Sequence, residues 1–289
     1  MSIPNRKEVP QESLIDEFCS YLKRKNLASN TLTAYSFSVH LFFTLHAELS
    51  VESLKNYRTF LTEEFLPTTV NQRIHAMNHF LRFLEERHRN LYPNLRNFRL
   101  LALKLPRDSF QDFVISNEDC EILQERLKAD HQDFWYFIIR FLVTTGVRVS
   151  ELTQIKVEHL TCGFLDLYSK GGKIRRIYIT HALCKEALEW CEARGKTSGF
   201  LFSTKGSRPV TARGIQYQLK HFATQYGLNP DTIYPHSFRH RFAKNFLLRC
   251  GDIVLLADLM GHESIETTRI YLTRSSKEQQ MLLDEIVTW

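Results

Sequence analysis

The side chains best suited to chemistry in this 289-residue chain crowd into one stretch, His236 to Tyr271, which reads HSFRHRFAKNFLLRCGDIVLLADLMGHESIETTRIY. His236 and Arg239 stand three apart, so on a helix both side chains leave the same face about one turn from each other. An imidazole and a guanidinium are then aimed at one point. The guanidinium offers a fixed fork of donors matched to two oxygens of a phosphate, and the imidazole gives or takes a proton near neutral pH. That pairing suits phosphoryl transfer. Gly261-His262 follows the apolar run Val254, Leu255, Leu256 and Leu259, so the glycine is expected to end a helix and present His262 at a turn. Tyr271 comes nine residues later. His236 and His240 also have H-x-x-x-H spacing, which raises a metal hydrolase as a rival. The glutamate of H-E-x-x-H and a clear third ligand are missing, so no metal is expected and His240 reads as structural.

Two earlier segments could bring more cations to the same place. Thr145-Gly146-Val147-Arg148-Val149-Ser150-Glu151-Leu152 follows a helical run rich in Phe, Ile and Leu over 131 to 145. Gly146 permits a break, Ser150 or a neighbour restarts a helix, and Arg148 is left at the junction with Glu151 three residues on. A local salt bridge between them would also fix the arginine's aim. Phe164 to Tyr168 and Ile174 to Ile179 are β-branched and aromatic runs around Ser169-Lys170-Gly171-Gly172-Lys173, the pattern of a hairpin. Its tip would present Lys170 and Lys173 beside Arg175 and Arg176.

The positioning elements are mainly helical. Residues 1 to 100 read as four helices, the second starting near Ser29 or Asn30, the third over Val51 to Phe65, the fourth opened by Pro67. In the fourth, Val70, Ile74, Met77, Leu81 and Leu84 form an apolar stripe, with Arg73, His75, His79 and Arg82 mostly off it. The helical period lapses around Tyr92-Pro93 and Leu105-Pro106, which places a linker at 101–113 and a second domain at 114–289. There Asn117 is expected to cap a helix, and further helices are expected at about 181 to 194 and 211 to 226. At the end, Ser275-x-x-Glu278 resembles a capping box before Met281, Leu282, Leu283, Ile286, Val287 and Trp289. That apolar face either folds back on its own core or docks elsewhere.

Composition narrows the partners. The chain is 43% apolar and 12% aromatic, enough for real cores, and its apolar runs fall far short of the ~20 residues of a membrane span. With no apolar signal core near the N-terminus, a cytoplasmic protein without membrane contact is expected. Six scattered cysteines without a C-x-x-C pair indicate neither a zinc ribbon nor a disulfide framework. Ten Lys or Arg face a single acid, Asp231, between Ala193 and Gly251. A basic block inside a folded region is the footprint of a polyanion. Arg208, Arg213, Arg241 and Lys244 of that block, Lys173, Arg175 and Arg176 of the hairpin, and Arg73 of the fourth helix are the expected contacts.

In order and spacing, TGVRVSEL, SKGGKIRR, HSFRH and LMGHESIETTRIY resemble the tyrosine recombinase (phage integrase) family, most nearly its compact Xer-like members. Phe238, Arg241 and Met260 are mild departures, Arg241 standing where a small hydroxyl residue is commoner. The resemblance covers the chain from about 113. The N-terminal part is similar to the family's SAM-like, four-helix core-binding domain, and the rest to its mixed α/β catalytic domain of helices with a small antiparallel sheet. It implies a site-specific recombinase that cleaves and rejoins DNA strands through a covalent 3′-phosphotyrosyl intermediate, with no cofactor. Tyr271 would be the nucleophile, Arg148 and Arg239 would hold the non-bridging oxygens, and His236 would help move the nucleophile's proton. His262 would hydrogen-bond a phosphate oxygen and Lys170 would protonate the leaving oxygen, with Lys173 the alternative acid and Glu151 and His240 in support. The implied partners are double-stranded DNA with an inverted-repeat core site, a tetramer of this chain on two sites, and accessory proteins or a paralogous recombinase. The C-terminal face would then dock on a neighbouring subunit. A catalytically silent DNA-binding protein of the same fold is the alternative.

Overall fold

The computed structural model describes residues 11–104, 114–168, 174–204, 207–262, 264–272, 280 and 283–287. The chain divides into two compact units, Met1–Arg107 and Asp108–Trp289. It is mostly helical, with one two-stranded antiparallel sheet among the described residues.

The first unit is built from α1 (Gln11–Arg24), α2 (Ser29–Leu45), α3 (Val51–Glu64) and α4 (Pro67–Arg87). Their apolar stripes close on one core in which Phe18, Phe42, Leu54, Ile74, Met77 and Phe80 are fully buried. Pro67 opens α4 at its first position, where its missing N–H is not needed. Segment 97–103 then runs back along α4 through side-chain bonds at seven-residue intervals. Asn71 brackets the backbone of Leu103, Asn78 brackets that of Leu100, and Glu85 accepts from Asn97 N–H and Arg99. Each amide side chain gives one donor and one acceptor, as a neighbouring strand would.

The second unit contains α5 (Asn117–Ala129), α6 (Asp133–Thr145), α7 (Val149–Leu152) and α8 (Val157–Cys162). The hairpin β1 (Phe164–Tyr168) and β2 (Ile174–Tyr178) follows, paired from Phe164 opposite Tyr178 to Tyr168 opposite Ile174. Then come α9 (His181–Ala193), α10 (Ala212–Gln225), α11 (Pro235–Cys250), α12 (Ile253–Met260) and α13 (Ile265–Arg269), which runs into a 3-10 turn, Ile270–Leu272. Ser116, not Asn117, caps α5, its hydroxyl accepting from Asp119 N–H. Phe137, Phe141, Leu142, Phe202, Leu219 and Phe238 belong to the main core. Lys170 and Lys173 at the hairpin tip lie outside the described residues, as do Ser275, Glu278, Met281, Leu282 and Trp289.

Two glycines shape the site. Gly146 ends α6 in the left-handed region (φ 60°), and a Cβ there would stand 2.3 Å from a ring carbon of Phe242 on α11. Gly261 ends α12 the same way (φ 61°), and a Cβ there would meet the Arg175 side chain at 2.2 Å. No other residue lets these chain reversals and close approaches coexist.

Candidate active site

The carbonyls at the end of α12 organise the site. A helix C-terminus leaves carbonyls without intrahelical partners and carries partial negative charge, so it attracts cations. Here three successive carbonyls each take one guanidinium. Arg175 donates to Leu259 O (3.0 Å), Arg239 to Met260 O (2.6 Å) and Arg148 to Gly261 O (3.2 Å). His262 follows directly. Three arginines separated by up to 91 positions in sequence are thus gathered on one helix end.

Glu151 supplies the counter-charge. It is buried, and one oxygen accepts from Arg148 Nη1 (2.9 Å) and from Arg175, the other from the Arg148 backbone N–H (2.8 Å). Burial pushes its carboxyl up, but Arg175 and Arg148 outweigh burial and hold it below the usual range. The salt bridge expected between Arg148 and Glu151 is present, and the Arg148 side chain stays 42% exposed, open to a ligand.

Arg239 is almost wholly buried. It donates to Gly146 O and Met260 O, each at 2.6 Å, and approaches His262 Nε2 at 3.2 Å. Burial, and then the like charges of Arg148 and Arg175, lower its pKa to about 10, so it is still a cation at neutral pH. The 3-10 turn brings Tyr271 into a small core with Ala243, Leu256 and Met260. Its ring lies 4.9 Å from His240, edge to face, and 6.0 Å from His262, nearly parallel. Burial raises the phenol's pKa, against the pull of Arg239 and Arg148, so the tyrosine is protonated as it rests.

The imidazoles are neutral at pH 7. Burial first, and neighbouring charged and imidazole groups next, bring His240 and His262 down to about 4 and lower His236 as well. His236 is exposed and packs edge to face on His240 at 4.6 Å, so His240 stands between it and Tyr271. His240 Nδ1 is buried without a hydrogen-bond partner. Among the described residues no cluster of three His, Cys, Asp or Glu could hold a metal, which leaves the H-x-x-x-H pair without the rest of a ligand set.

The residues expected to touch DNA separate into two groups. Arg208 and Arg213 are exposed, and Lys244 is half-buried. Arg175 instead is buried between Glu151 and α12, its side chain only 10% exposed. Arg241 donates to Ile115 O (2.6 Å), on the same α11 stripe as Ser237, which accepts from Ile115 N–H (2.7 Å). Both guanidiniums are bonded within the protein, which basic composition alone does not reveal. Arg176 makes two 2.7 Å bonds to Asp166 and stacks on Phe164. Arg73, in the first unit, lies between the rings of Phe65 and Phe37 at 4.4 and 5.1 Å. Beside Arg148 and His262 opens a groove of about 1210 Å³, lined also by Tyr168, Ile174, Arg176 and Leu255. Sequence reasoning did not single out Thr268, which is fully buried and bonds His262 Nδ1 at 2.8 Å. Its place in the same motif, six residues after the histidine, was the available signal.

Three guanidiniums fixed at one helix end, beside a phenol and neutral imidazoles, are groups that a phosphoryl transfer with an oxygen nucleophile could use. The profile of the phage integrase family matches residues 115–278. The chain is 28% identical to tyrosine recombinase XerD of Yersinia pestis, over 89% of this chain and 91% of that protein. It is 26% identical to tyrosine recombinase XerA of Pyrococcus furiosus, over 98% and 99% respectively. In fold it is similar to XerH site-specific recombinase bound to palindromic difH substrate, with TM-score 0.68 and 18% identity over 98% of this chain and 86% of that one. The chain belongs to the phage integrase family: it is a tyrosine recombinase, of the enzyme class that cleaves and rejoins DNA in site-specific recombination.

Proposed function

We propose that Tyr271 is the nucleophile of this recombinase and that Arg148 and Arg239, both bonded to the α12 end, hold the scissile phosphate. The phenol oxygen attacks phosphorus, the P–O5′ bond breaks, and a 3′-phosphotyrosyl link and a free 5′-hydroxyl result. Attack by the 5′-hydroxyl of another strand reverses the step, so the bond energy is conserved and no ATP is needed. Arg148 and Arg239 bind the non-bridging oxygens. Bonds to fixed carbonyls already set their aim, so little reorganisation accompanies charge development. His236 helps move the phenol's proton, and Lys170 gives one to the departing 5′-oxygen. The observation that carries this reading is the gathering of Arg148, Arg239, His262 and Tyr271 around one helix end.

The substrate is duplex DNA with an inverted-repeat core site, its backbone following the groove beside Arg148 and His262. A tetramer on two sites fits the C-terminal segment, where Leu283 and Ile286 are each 55% exposed and Val287 is also exposed. That apolar face would dock on a neighbouring subunit. Deleting residues 277–289 should keep single-site binding and lower cooperative assembly; a truncated chain that cannot bind one site would place the helix in cis. The reaction itself is tested with nicked suicide duplexes drawn from the DNA flanking the chain's own coding sequence. A denaturation-resistant protein–DNA adduct, formed equally in EDTA, is expected. An EDTA-sensitive reaction, or specific binding with no adduct from any flanking site, would favour a metal hydrolase or a silent DNA-binding protein respectively.

A further inference from the structure

His262 is bonded at both ring nitrogens, and the two bonds restrict each other. Arg239 Nη2 stands 3.2 Å from Nε2, and an arginine can only donate, so Nε2 carries the lone pair. The ring is neutral, so its single hydrogen is on Nδ1 and points to Thr268 Oγ1, 2.8 Å away. In this arrangement Nε2 cannot donate to a phosphate oxygen. For a ring that stays neutral, phosphate contact needs the other tautomer, with hydrogen on Nε2 and a lone pair on Nδ1. The partner of Nδ1 must then become a donor.

A threonine hydroxyl can make that exchange, because it both accepts and donates and rotates between the two. Thr268 is fully buried on α13, and its hydroxyl's bond to His262 is the one described for it. We propose that Thr268 is a positioning residue whose hydroxyl reverses its hydrogen bond to His262, switching the imidazole from acceptor of Arg239 to donor to the scissile phosphate. When a phosphate oxygen arrives, the Arg239 N–H turns to it and Nε2 is released. The Nδ1 proton is lost to solvent as Nε2 gains one, and the Thr268 O–H swings to donate into Nδ1. No net proton is taken up. The orienting partner of a functional histidine commonly fixes its tautomer; here the partner can support either one.

The proposal rests on His262 contacting phosphate, so its test keeps the two ideas apart. In full-length protein labelled with ¹⁵N-histidine, long-range ¹H–¹⁵N spectra should show His262 as the Nδ1–H tautomer when free and as Nε2–H with orthovanadate, a phosphate-like anion, bound. Thr268→Val should bind DNA normally, because residue 268 is buried, and cleave a suicide substrate about tenfold more slowly. Thr268→Ser, which keeps the hydroxyl, should restore the rate. An Nε2–H tautomer in the free protein would overturn the switch. So would a Thr268→Val rate equal to wild type, or Thr268→Ser failing as badly as Thr268→Val, which would assign the effect to the lost methyl. If vanadate binds and shifts the resonances of His236 but leaves His262 unchanged, the phosphate role of His262 itself fails.

Discussion

Glu151→Gln is the sharpest probe of how the arginines are aimed. The substitution is isosteric, so no cavity forms, yet an amide has one acceptor where the carboxylate has two. One Glu151 oxygen accepts from the guanidiniums of Arg148 and Arg175, the other from the Arg148 backbone N–H. Glutamine must turn its NH2 toward one set. The smaller loss is to face the backbone N–H, which leaves that donor unpaired and the two guanidiniums sharing a neutral oxygen. Losing one charge-assisted bond costs about 1.5–3 kcal/mol, and unshielding two adjacent cations adds to it. Breaking a buried pair costs about 3–5 kcal/mol, but the half-exposed Arg148 can relax. About 2–4 kcal/mol is expected, or a fall in Tm of about 5–15 °C for a unit of this size. Cleavage should drop by about one to two orders of magnitude, because Arg148 loses its anchor. Thermal melts and single-turnover cleavage of a suicide substrate read both. A variant within 2 °C of wild type that cleaves normally would refute the argument that Glu151 sets the geometry.

Arg148→Ala and Arg239→Ala should each lose at least ~10²-fold in cleavage, the scale of removing one oriented donor from a developing oxyanion; near-normal rates would remove them from the site. Lys170→Ala should be rescued by a 5′-bridging phosphorothiolate, whose sulfur leaves without a proton, whereas Lys173→Ala should need no rescue; the opposite pattern would make Lys173 the acid. Stability should also depend on pH through His240 and His262, held at about 4 in the folded chain against ~6.5 unfolded. The unfolded chain binds more protons between those values, so the contribution is full above pH ~6.5 and is lost as pH falls toward 4, on the order of 2 kcal/mol per imidazole once their partial exposure to solvent is discounted. Urea melts of the His240→Asn, His262→Asn double variant should be flatter over that range; a wild-type curve already flat would contradict the burial of neutral imidazoles.

Local signals made much of this molecule readable in advance. The stripe of Val70, Ile74, Met77, Leu81 and Leu84 is buried on α4, and Pro67 opens that helix. Gly146 and Gly261 stop helices because the chain must turn left-handed there. The runs around the Lys-Gly-Gly-Lys segment pair as a hairpin. Partners distant in sequence were not readable. A guanidinium bonded inside the protein has the same letter as one facing solvent, so nothing in the sequence showed that Arg175 is held by buried Glu151 or Arg241 by the carbonyl of Ile115. Arg239 is held by Gly146 O, 93 positions away, and a backbone carbonyl carries no sequence signature. Asn71 and Asn78 gave no sign that they bracket the segment leaving the first unit. Charge and period reveal faces; they do not say which buried atom a polar group will find.

The central claim is that the oxygen of Tyr271 forms the bond to DNA. The most direct measurement takes the adduct from a suicide substrate, digests it, and finds the nucleotide-bearing peptide by mass spectrometry, with Tyr271→Phe run in parallel. The nucleotide should sit on Tyr271 alone, and the phenylalanine variant should bind the same duplex with unchanged affinity and form no adduct. A nucleotide on any other side chain, or an adduct from Tyr271→Phe, would contradict the account.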